Sequence, residues 1–452
     1  MKIMLIWPPS PEYCVLTEEF SCCEPLGLEY LAASVLDKND VKIIDMRFEK
    51  DLLGILQQYQ PDIVGLSIPF TTVVNSSNNV LKTIKEFDSN IKVIIGGSHP
   101  SVGLKYVATK YVDYVIKGEG VKSFCELVEA IEQNKKVDDI KGIAYKYMDQ
   151  FIYTEETSVD TLDDYPVPAR HLTEKYRKEY FHAHYRPVTL MRFSYGCPCN
   201  CSFCLLWKMC KRKYITRQNS DIIEELLHID CENIYVIDDE AFININKMDR
   251  LADEIKKHGI KKKYHMYVRA DTVSKNPKLF EKWAEVGLDS VLIGMESIFE
   301  EELHQYNKGI SINTSVEAVR ILKSNGVEVR ANFIIQPDYT KEKFEAVKKF
   351  IKEVDIDRPT FAVLTPFYGT DYYETVKDKF IIDKPEFFDC YHTFLQTDMP
   401  LKDFYYEFAG LFRFANNRKK KEGEDRVFYA GKSNKSFEEM VKKIEDSYLY
   451  YK

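Results

Sequence analysis

Short apolar runs and helical patterns alternate along residues 1–135. The apolar runs read KIMLIW, VKIIDM, DIVGLSI, KVIIGG and YVIKGEG, and the helical patterns between them include residues 28–36 and 79–87. Continuous apolar runs of this length are typical of parallel strands that are buried on both faces. The alternation therefore predicts a doubly wound α/β domain over residues 1–135, with a ligand crevice at the C-terminal ends of its strands.

The alternation stops at residues 136–185, where the segment LDDYPVPARHL carries two prolines and favours a linker. It resumes with six apolar runs, each followed by a helical stretch: TLMRFSYG, NIYVIDD, YHMYVRA, VLIGMES, VEVRANFIIQP and PTFAVLTPF. Six strand–helix units over residues 186–384 predict a partial (β/α)6 barrel of the TIM type, whose site lies at the C-terminal strand ends. Residues 385–452 are aromatic and predict a helical C-terminal region.

Composition narrows the class of protein. A chain of 452 residues is too long for one core, and 45% hydrophobic with 30% charged residues is typical of a globular protein. No apolar stretch reaches the length of about 18 residues that a membrane span needs, and the N-terminus predicts a strand and not a signal peptide. A net charge of -8 argues against a nucleic-acid partner. We therefore expect a cytoplasmic protein that has no membrane span and binds no nucleic acid.

Five of the eleven cysteines crowd between Cys197 and Cys210. Intracellular proteins of this size rarely form disulfides, so the crowding indicates a metal site. Cys197, Cys201 and Cys204 form a CxxxCxxC motif directly after a predicted strand, and three thiolates can hold three irons of a [4Fe-4S] cluster. The fourth iron would stay open to the amino and carboxylate groups of S-adenosylmethionine (SAM), and electron transfer would then cleave SAM to a 5'-deoxyadenosyl radical.

Two further cysteines leave an alternative ligand set open. Cys199 lies inside the motif and Cys210 follows it, so a structural zinc site around Cys201 and Cys204 is the competing interpretation. Zinc ribbons pair two CxxC elements, and the sequence contains no second CxxC. This favours the iron-sulfur cluster, while the roles of Cys199 and Cys210 stay open.

The stretch SYGCPCNCSFC resembles the cluster loop of the radical SAM superfamily, in which an aromatic residue such as Phe203 precedes the last cysteine. Further matching motifs follow in order: VIDDEAF at 236–242, RAD at 269–271, IGMES at 293–297, YNKGIS at 306–311, FIIQP at 333–337 and LTPFYGT at 364–370. Their order resembles the subfamily that places a cobalamin-binding domain in front of the radical SAM domain. The chain departs from that subfamily at Cys199 and at Gln336, where relatives usually have a glycine.

The resemblance implies that SAM is bound from strand ends. Carboxylates and a serine suit the ammonium and ribose groups of SAM, and an arginine suits its carboxylate. Each of these side chains has the alternative role of a strand-end cap or a salt-bridge partner. The candidate SAM contacts are Asp239, Arg269, Glu296, Ser297 and Gln336.

The N-terminal half resembles the Rossmann-like cobalamin-binding domain of the same subfamily. The matching elements are PLGLEYLAASVL at 25–36, GLSIPFT at 65–71, GGSHPS at 96–101 and GEG at 118–120. Glycines at strand ends would let the backbone approach the corrin and its nucleotide tail. The implied cobalamin contacts are Leu26, Gly27, Ser67, Gly96, Gly97, His99, Pro100, Gly118, Glu119 and Gly120.

Cobalamin mutases place the lower axial histidine in a DxHxxG motif just after the first strand. Here that segment reads PPSPEYCVLTEEF, and no histidine precedes His99. We therefore expect cobalamin without a histidine lower ligand, which argues against a mutase. His99 itself is interpreted as a strand-end residue at the cofactor edge and not as a metal ligand.

The leading hypothesis from the resemblance is a methyltransferase acting on an unactivated carbon or a phosphinate phosphorus, through methylcobalamin and a 5'-deoxyadenosyl radical. The alternative is a cobalamin-dependent radical SAM cyclase or rearrangement enzyme without net methylation. A methylthiolating enzyme is less favoured because the sequence offers no second cluster motif, and a non-enzymatic sensor would need a partner module that is not found. The implied partners are a small-molecule or peptide substrate and a low-potential electron donor such as flavodoxin or ferredoxin.

Overall fold

The computed structural model describes residues 1–11, 21–421 and 434–451. The strands are β1 (Lys2–Trp7), β2 (Ser21–Cys22), β3 (Asp40–Asp45), β4 (Ile63–Ser67), β5 (Lys92–Gly96), β6 (Tyr114–Ile116), β7 (Ile143–Tyr147), β8 (Gln150–Tyr153), β9 (Phe181–His182), β10 (Thr189–Met191), β11 (Ser194–Tyr195), β12 (Ile215–Thr216), β13 (Asn233–Val236), β14 (Lys263–Val268), β15 (Leu288–Glu296), β16 (Glu328–Ile335) and β17 (Arg358–Val363). The helices are α1 (Leu26–Val35), α2 (Leu52–Tyr59), α3 (Val74–Phe87), α4 (Ser98–Val102), α5 (Val121–Glu132), α6 (Leu206–Met209), α7 (Asn219–His228), α8 (Ile245–Lys257), α9 (Ala270–Lys275), α10 (Pro277–Glu285), α11 (Glu300–Gln305), α12 (Ile312–Ser324), α13 (Lys341–Val354), α14 (Asp371–Val376), α15 (Leu401–Lys421) and α16 (Asn434–Asp446).

The chain divides into two compact units. The first comprises Met1–Cys14 and Glu24–Lys178, and the second comprises Val15–Cys23 and Glu179–Lys452. No helix of the described residues is long and apolar enough to cross a membrane.

The first unit is built on a seven-stranded sheet in the order β3-β1-β4-β5-β6-β7-β8. The strands from β3 to β6 pair in parallel, which confirms the predicted doubly wound α/β fold. Ile3 and Leu5 of β1 belong to one apolar core, while Met4 and Ile6 belong to the core on the opposite face. Helices therefore cover both faces of the sheet, as the continuous apolar runs indicate.

The segment predicted as a linker, residues 136–185, contains two strands of the sheet in the structure. Residues 143–147 and 150–153 form β7 and β8, which extend the sheet antiparallel to β6. They join at Met148 and Asp149, which both have positive φ, at 46° and 63°. This is the backbone of a two-residue hairpin, but the sequence lacks the Asn-Gly or Asp-Gly pair that usually marks one.

The second unit contains a six-stranded parallel sheet in the order β10-β13-β14-β15-β16-β17, which confirms the six predicted strands. One face of this sheet packs on helices and forms the largest apolar core of the chain. The aromatic residues Phe404, Phe408 and Phe412 of α15 complete that core, together with Phe437 and Met440 of α16. The C-terminal region is helical in the described residues, as predicted.

Candidate cofactor sites

The candidate SAM residues all lie at one edge of the six-stranded sheet. The cysteine loop follows β10 and β11, Asp239 follows β13, Arg269 follows β14, Glu296 ends β15 and Gln336 follows β16. These strands are neighbours in the sheet and run in parallel, so their C-terminal ends form one row. The carboxyl ends of such strands are the usual site of chemistry in barrels of this kind.

Backbone geometry at Gly196 starts the cysteine loop. Gly196 has φ +90°, and a Cβ atom there would stand 2.2 Å from the carbonyl oxygen of Lys213. The N–H of Cys197 then donates to Cys210 Sγ at 3.4 Å, and this thiol donates back to the Cys197 carbonyl at 3.5 Å. Cys210 is buried and therefore acts here as a backbone anchor of the loop.

Three further contacts hold the loop, and the sequence motifs did not predict them. Trp207 Nε1 donates to the Cys201 carbonyl at 2.9 Å. The N–H of Ser202 donates to the Tyr306 carbonyl at 2.9 Å, and the Phe203 ring packs edge-on against the Tyr306 ring with centroids 5.4 Å apart. The YNKG stretch at 306–309 therefore supports the loop directly in this structure.

The electrostatic surroundings suit a cluster held by thiolates. Burial raises the pKa of Cys201, while the positive charges of Lys308 and Arg269 oppose this shift and favour the thiolate. Burial raises the pKa of Cys204 to about 11, and the Asp239 carboxylate adds to that shift. Soft sulfur donors next to two cations fit an iron-sulfur cluster.

Across residues 1–11, 21–421 and 434–451, no group of three or more His, Cys, Asp or Glu side chains is close enough to hold a single metal ion. In a [4Fe-4S] cluster each cysteine binds a different iron. The cysteines therefore lie farther apart than the ligands of a single metal ion. The thiol groups of the loop therefore fit a cluster, although they do not form a site for a single metal ion.

A buried ion pair stands next to the loop. Lys308 Nζ lies 2.7 Å from Glu296 Oε1, and both side chains are less than a tenth exposed. Glu296 has φ +62° at a register shift between β15 and β16. Its carboxylate meets the Lys308 ammonium from this position. Burial alone would lower the pKa of Lys308, but the Glu296 carboxylate outweighs burial and raises it. The charged lysine interacts electrostatically with Cys201, and the sequence motifs did not predict a role for it.

Arg269 is positioned by two carboxylates and a carbonyl. Its Nε donates to Asp271 at 3.0 Å, its Nη2 donates to the Lys308 carbonyl at 3.0 Å, and its backbone N–H donates to Glu240 at 2.5 Å. Burial raises the pKa of Glu240 to about 8 and that of Asp238 to about 6. These two buried carboxylates support the strand ends, while half-buried Asp239 between them faces the cysteines.

The other two candidate SAM residues have different surroundings. The Ser297 hydroxyl donates to Glu302 at 2.5 Å and accepts the N–H of Phe299 at 3.0 Å, so it already serves as a turn cap. Gln336 is half-buried at the end of β16, and its backbone carbonyl accepts the N–H of Tyr339 at 3.2 Å. Of the predicted set, Arg269 and Glu296 act electrostatically on Cys201, and Asp239 acts on Cys204.

The candidate cobalamin residues gather at the corresponding edge of the first unit. Ser67 ends β4 and Gly96 ends β5, while Gly118 and Gly120 follow β6. The strand order reverses between β1 and β4, the place where doubly wound sheets bind ligands. Ser101 joins two of these loops, because its hydroxyl accepts the N–H of Gly118 at 2.9 Å and donates to the Gly97 carbonyl at 2.7 Å.

Two glycines shape this edge: Gly97 lets two strand-end loops pack closely, and Gly27 leaves open space that fits a bulky corrin. Gly97 has φ +112°, and a Cβ there would lie 2.7 Å from the Ile68 carbonyl oxygen. Gly27 is exposed near the start of α1, beside buried Leu26, and no heavy atom lies within 4 Å of its Cβ position. Glu119 accepts the Tyr165 hydroxyl at 3.1 Å, and the loop is thereby tied to the segment predicted as a linker.

His99 uses both ring nitrogens inside the first unit. Nδ1 bonds to the Thr71 hydroxyl at 3.0 Å, and Nε2 bonds to the Lys105 carbonyl at 2.8 Å. Burial lowers the pKa of His99, so the ring is neutral. This agrees with a strand-end residue and not a cobalt ligand. Residues 12–20, which contain most of the segment after the first strand, lie outside the described residues.

Comparison with known proteins decides the family. Residues 14–128 match the model of the B12 binding domain, and residues 191–351 match that of the radical SAM superfamily. The chain is 30% identical over 417 residues to hopanoid C-3 methylase of Methylococcus capsulatus, covering 90% of this chain and 78% of that protein. The chain belongs to the cobalamin-binding radical SAM family. This family assignment confirms the predicted cofactors, namely a [4Fe-4S] cluster, SAM and cobalamin.

Two further known proteins are similar to most of this chain. The anaerobic magnesium-protoporphyrin IX monomethyl ester cyclase of Rubrivivax gelatinosus is 26% identical over 332 residues, 71% of this chain and 59% of that protein. The cobalamin-dependent SAM radical enzyme OxsB aligns over 100% of this chain and 71% of its own, with TM-score 0.72 and 16% identity. At that identity the structural likeness shows the fold alone.

Proposed function

We propose that this radical SAM enzyme is a methyltransferase that moves the methyl group of SAM to an unactivated carbon or a phosphinate phosphorus. The observation that carries the proposal is the similarity to a named methylase across 90% of the chain, which includes both units. A similarity confined to the radical SAM unit would support SAM cleavage only. The substrate itself stays open at this stage.

The proposal assigns distinct tasks to the residues of each unit. When bound, the cluster and SAM supply the 5'-deoxyadenosyl radical, and cobalamin supplies the carrier of the methyl group. Cys197, Cys201 and Cys204 would hold the cluster, while the Glu296–Lys308 pair and Arg269 would orient the amino and carboxylate groups of SAM. Arg269 suits this task because its position is fixed by Asp271 and by backbone groups.

At the first unit, the proposal gives cobalamin a site at the C-terminal strand ends. Ser67, Gly97 and Gly118 would meet the corrin and its tail, since small residues allow close approach of the backbone. His99 would support the loop through Thr71 and not coordinate cobalt.

The experiment uses anaerobically reconstituted protein, SAM with a deuterated methyl group, a reductant and a metabolite extract as the source of substrate. A methyltransferase consumes two SAM per turnover, so S-adenosylhomocysteine and 5'-deoxyadenosine should form in near-equal amounts with label in a product. Cys201→Ala should abolish 5'-deoxyadenosine and retain some methylation of reduced cobalamin, because that transfer is polar. Cys231→Ala removes a cysteine outside the cluster loop, so it is the matched control and should keep both products.

The second candidate is a cyclase or rearrangement enzyme, which the relative from Rubrivivax gelatinosus favours. Such an enzyme would form 5'-deoxyadenosine without matching S-adenosylhomocysteine and without label in the product. That outcome would replace the methyltransferase proposal.

A further inference from the structure

The six-stranded sheet has an accessible inner face, formed by the residues that alternate with the helix-packed core positions. Val268, Ile293 and Phe333 point to the helices and are buried. Their neighbours on the opposite face, Tyr267 and Asn332 among them, keep part of their surface exposed. These strands lie inside the sheet and helices cover the outer face, so this exposure belongs to the inner face. The inner face is therefore less completely covered at Tyr267 and Asn332 than the helix-packed outer face is.

A buried arginine crosses this inner face. Arg330 of β16 is 6% exposed, and its Nη1 reaches His182 Nε2 at 2.7 Å and His265 Nε2 at 3.1 Å. His265 belongs to β14, so the guanidinium extends across the intervening β15. The arginine thus lies across the inner face instead of turning away from it.

The two imidazoles that contact Arg330 are neutral acceptors. Burial lowers the pKa of His182 and of His265 well below the usual value, and the charge of Arg330 lowers both further. Their Nδ1 atoms bond to Ser21 and Ser290, and their Nε2 atoms lie 3.1 Å from each other, with Arg330 Nη1 within hydrogen-bond distance of both. The neutral rings accept hydrogen bonds from Arg330 but supply no negative charge to it.

No carboxylate in the described part of the chain forms an ion pair with Arg330. Of the other acids in this part of the sheet, Glu328 pairs with Arg358 at 2.7 Å through Oε2 and leaves Oε1 without a hydrogen bond, and Asp289 accepts the Tyr185 hydroxyl. Nε of Arg330 is buried without a hydrogen-bond partner, and Nη2 has none among the described residues either. Nε and Nη2 form the side edge of a guanidinium, which presents two parallel N–H groups.

We infer that the side edge of Arg330 binds a carboxylate of the substrate, inside the six-stranded sheet. A buried cation is costly without a counter-charge, and two parallel N–H donors match the two oxygens of a carboxylate. The inference deepens the proposed function, on which it rests for taking the bound acid as the substrate.

The geometry of β16 gives the distance between Arg330 and the SAM edge, and this distance sets the length of the substrate. Phe333 pairs with Glu296 at the SAM edge, and Arg330 lies three residues earlier on the same strand. At about 3.3 Å per residue, the anchor is about 10 Å below the SAM edge. The substrate class is therefore a small carboxylic acid whose reacting atom lies several bonds away from its carboxylate.

The test measures binding without turnover. Calorimetric titration uses protein loaded with cluster and cobalamin, with SAM present and no reductant. The probes are hexanoate and its neutral isostere hexanamide. Wild-type protein should bind hexanoate at least tenfold more tightly than hexanamide, and Arg330→Gln should lose this preference. Arg320→Gln removes an arginine on α12 whose side chain is 74% exposed, and this matched control should keep the preference.

Two more measurements keep the inference falsifiable. Arg330→Lys keeps the charge and loses the planar edge, so it should retain a weaker preference and serves if the glutamine variant fails to fold. The melting temperature of Arg330→Gln should equal or exceed that of the wild type, since an uncompensated charge is removed. Equal binding of both probes, no binding of hexanoate, or an unchanged preference in Arg330→Gln would overturn the inference. None of these results bears on the product ratio that tests methyl transfer.

Discussion

Replacing Gly294 with alanine should break the ion pair beside the cysteine loop. A Cβ atom at this position would stand 2.2 Å from Glu296 Oε1 and 2.7 Å from Lys308 Nζ. Contacts this short cannot exist, so the carboxylate or the ammonium must move. Both groups are buried, and little space is open to either.

The expected cost follows from the burial of the pair. Separating a buried pair leaves each charge without its counter-charge, and such losses are about 3 to 5 kcal/mol. Partial relaxation places the cost for Gly294→Ala near the lower value, about 3 kcal/mol. Gly410→Ala is the matched control, because its Cβ would meet only ordinary contacts, the nearest being Lys348 Nζ at 3.8 Å. Since Gly410 lies inside α15, the control should gain about 0.5 to 1 kcal/mol.

Urea unfolding followed by tryptophan fluorescence measures this cost. Trp207 and Trp283 both lie in the second unit, and Trp283 is fully buried. A double-mutant cycle with Lys308→Met then isolates the pair. Gly294→Ala should cost less than about 1 kcal/mol in the Lys308→Met background, because the carboxylate can then move aside. Equal costs in both backgrounds would refute the assignment of the clash to this pair.

Three further predictions concern the cluster, cobalamin and pH. Iron analysis should find about four irons per chain in Cys210→Ala and far fewer in Cys201→Ala, and the reverse order would overturn the ligand assignment. Electron paramagnetic resonance of the cob(II)alamin form should show no nitrogen splitting, in the wild type or in His99→Gln. Burial, with the Glu24 charge, raises the pKa of Glu29 from 4.5 to about 8. The folded state therefore holds a proton that the unfolded chain lacks between these values, and stability falls as pH rises, by up to about 1.4 kcal/mol per pH unit. Calorimetry of Glu29→Gln should show a flatter dependence of melting temperature on pH between 5 and 8, and an unchanged slope would contradict this.

Features with a strong local signal were predicted from the sequence, and those that depend on distant partners were not. The strands of both parallel sheets follow from continuous apolar runs, which need no knowledge of tertiary contacts. The hairpin at Met148 and Asp149 was missed because neither residue is a usual turn former. A role for Lys308 was not predicted, because it depends on the ion pair with Glu296, which only folding brings together. Ser297 matched a motif, but its hydroxyl is engaged by Glu302 in the structure.

The contacts that hold the cysteine loop involve residues that are synthesised long after the cysteines. Ser202 Oγ donates to the Gln305 carbonyl, 103 residues later in the chain, and Asn200 accepts from Asn307, 107 residues later. At a synthesis rate of about 5 to 20 residues per second, these anchors emerge about 5 to 20 seconds after the cysteines. During that interval the thiols are presented on a loop without its supports. These contacts of the cysteine loop can therefore form only after residue 307 has been synthesised.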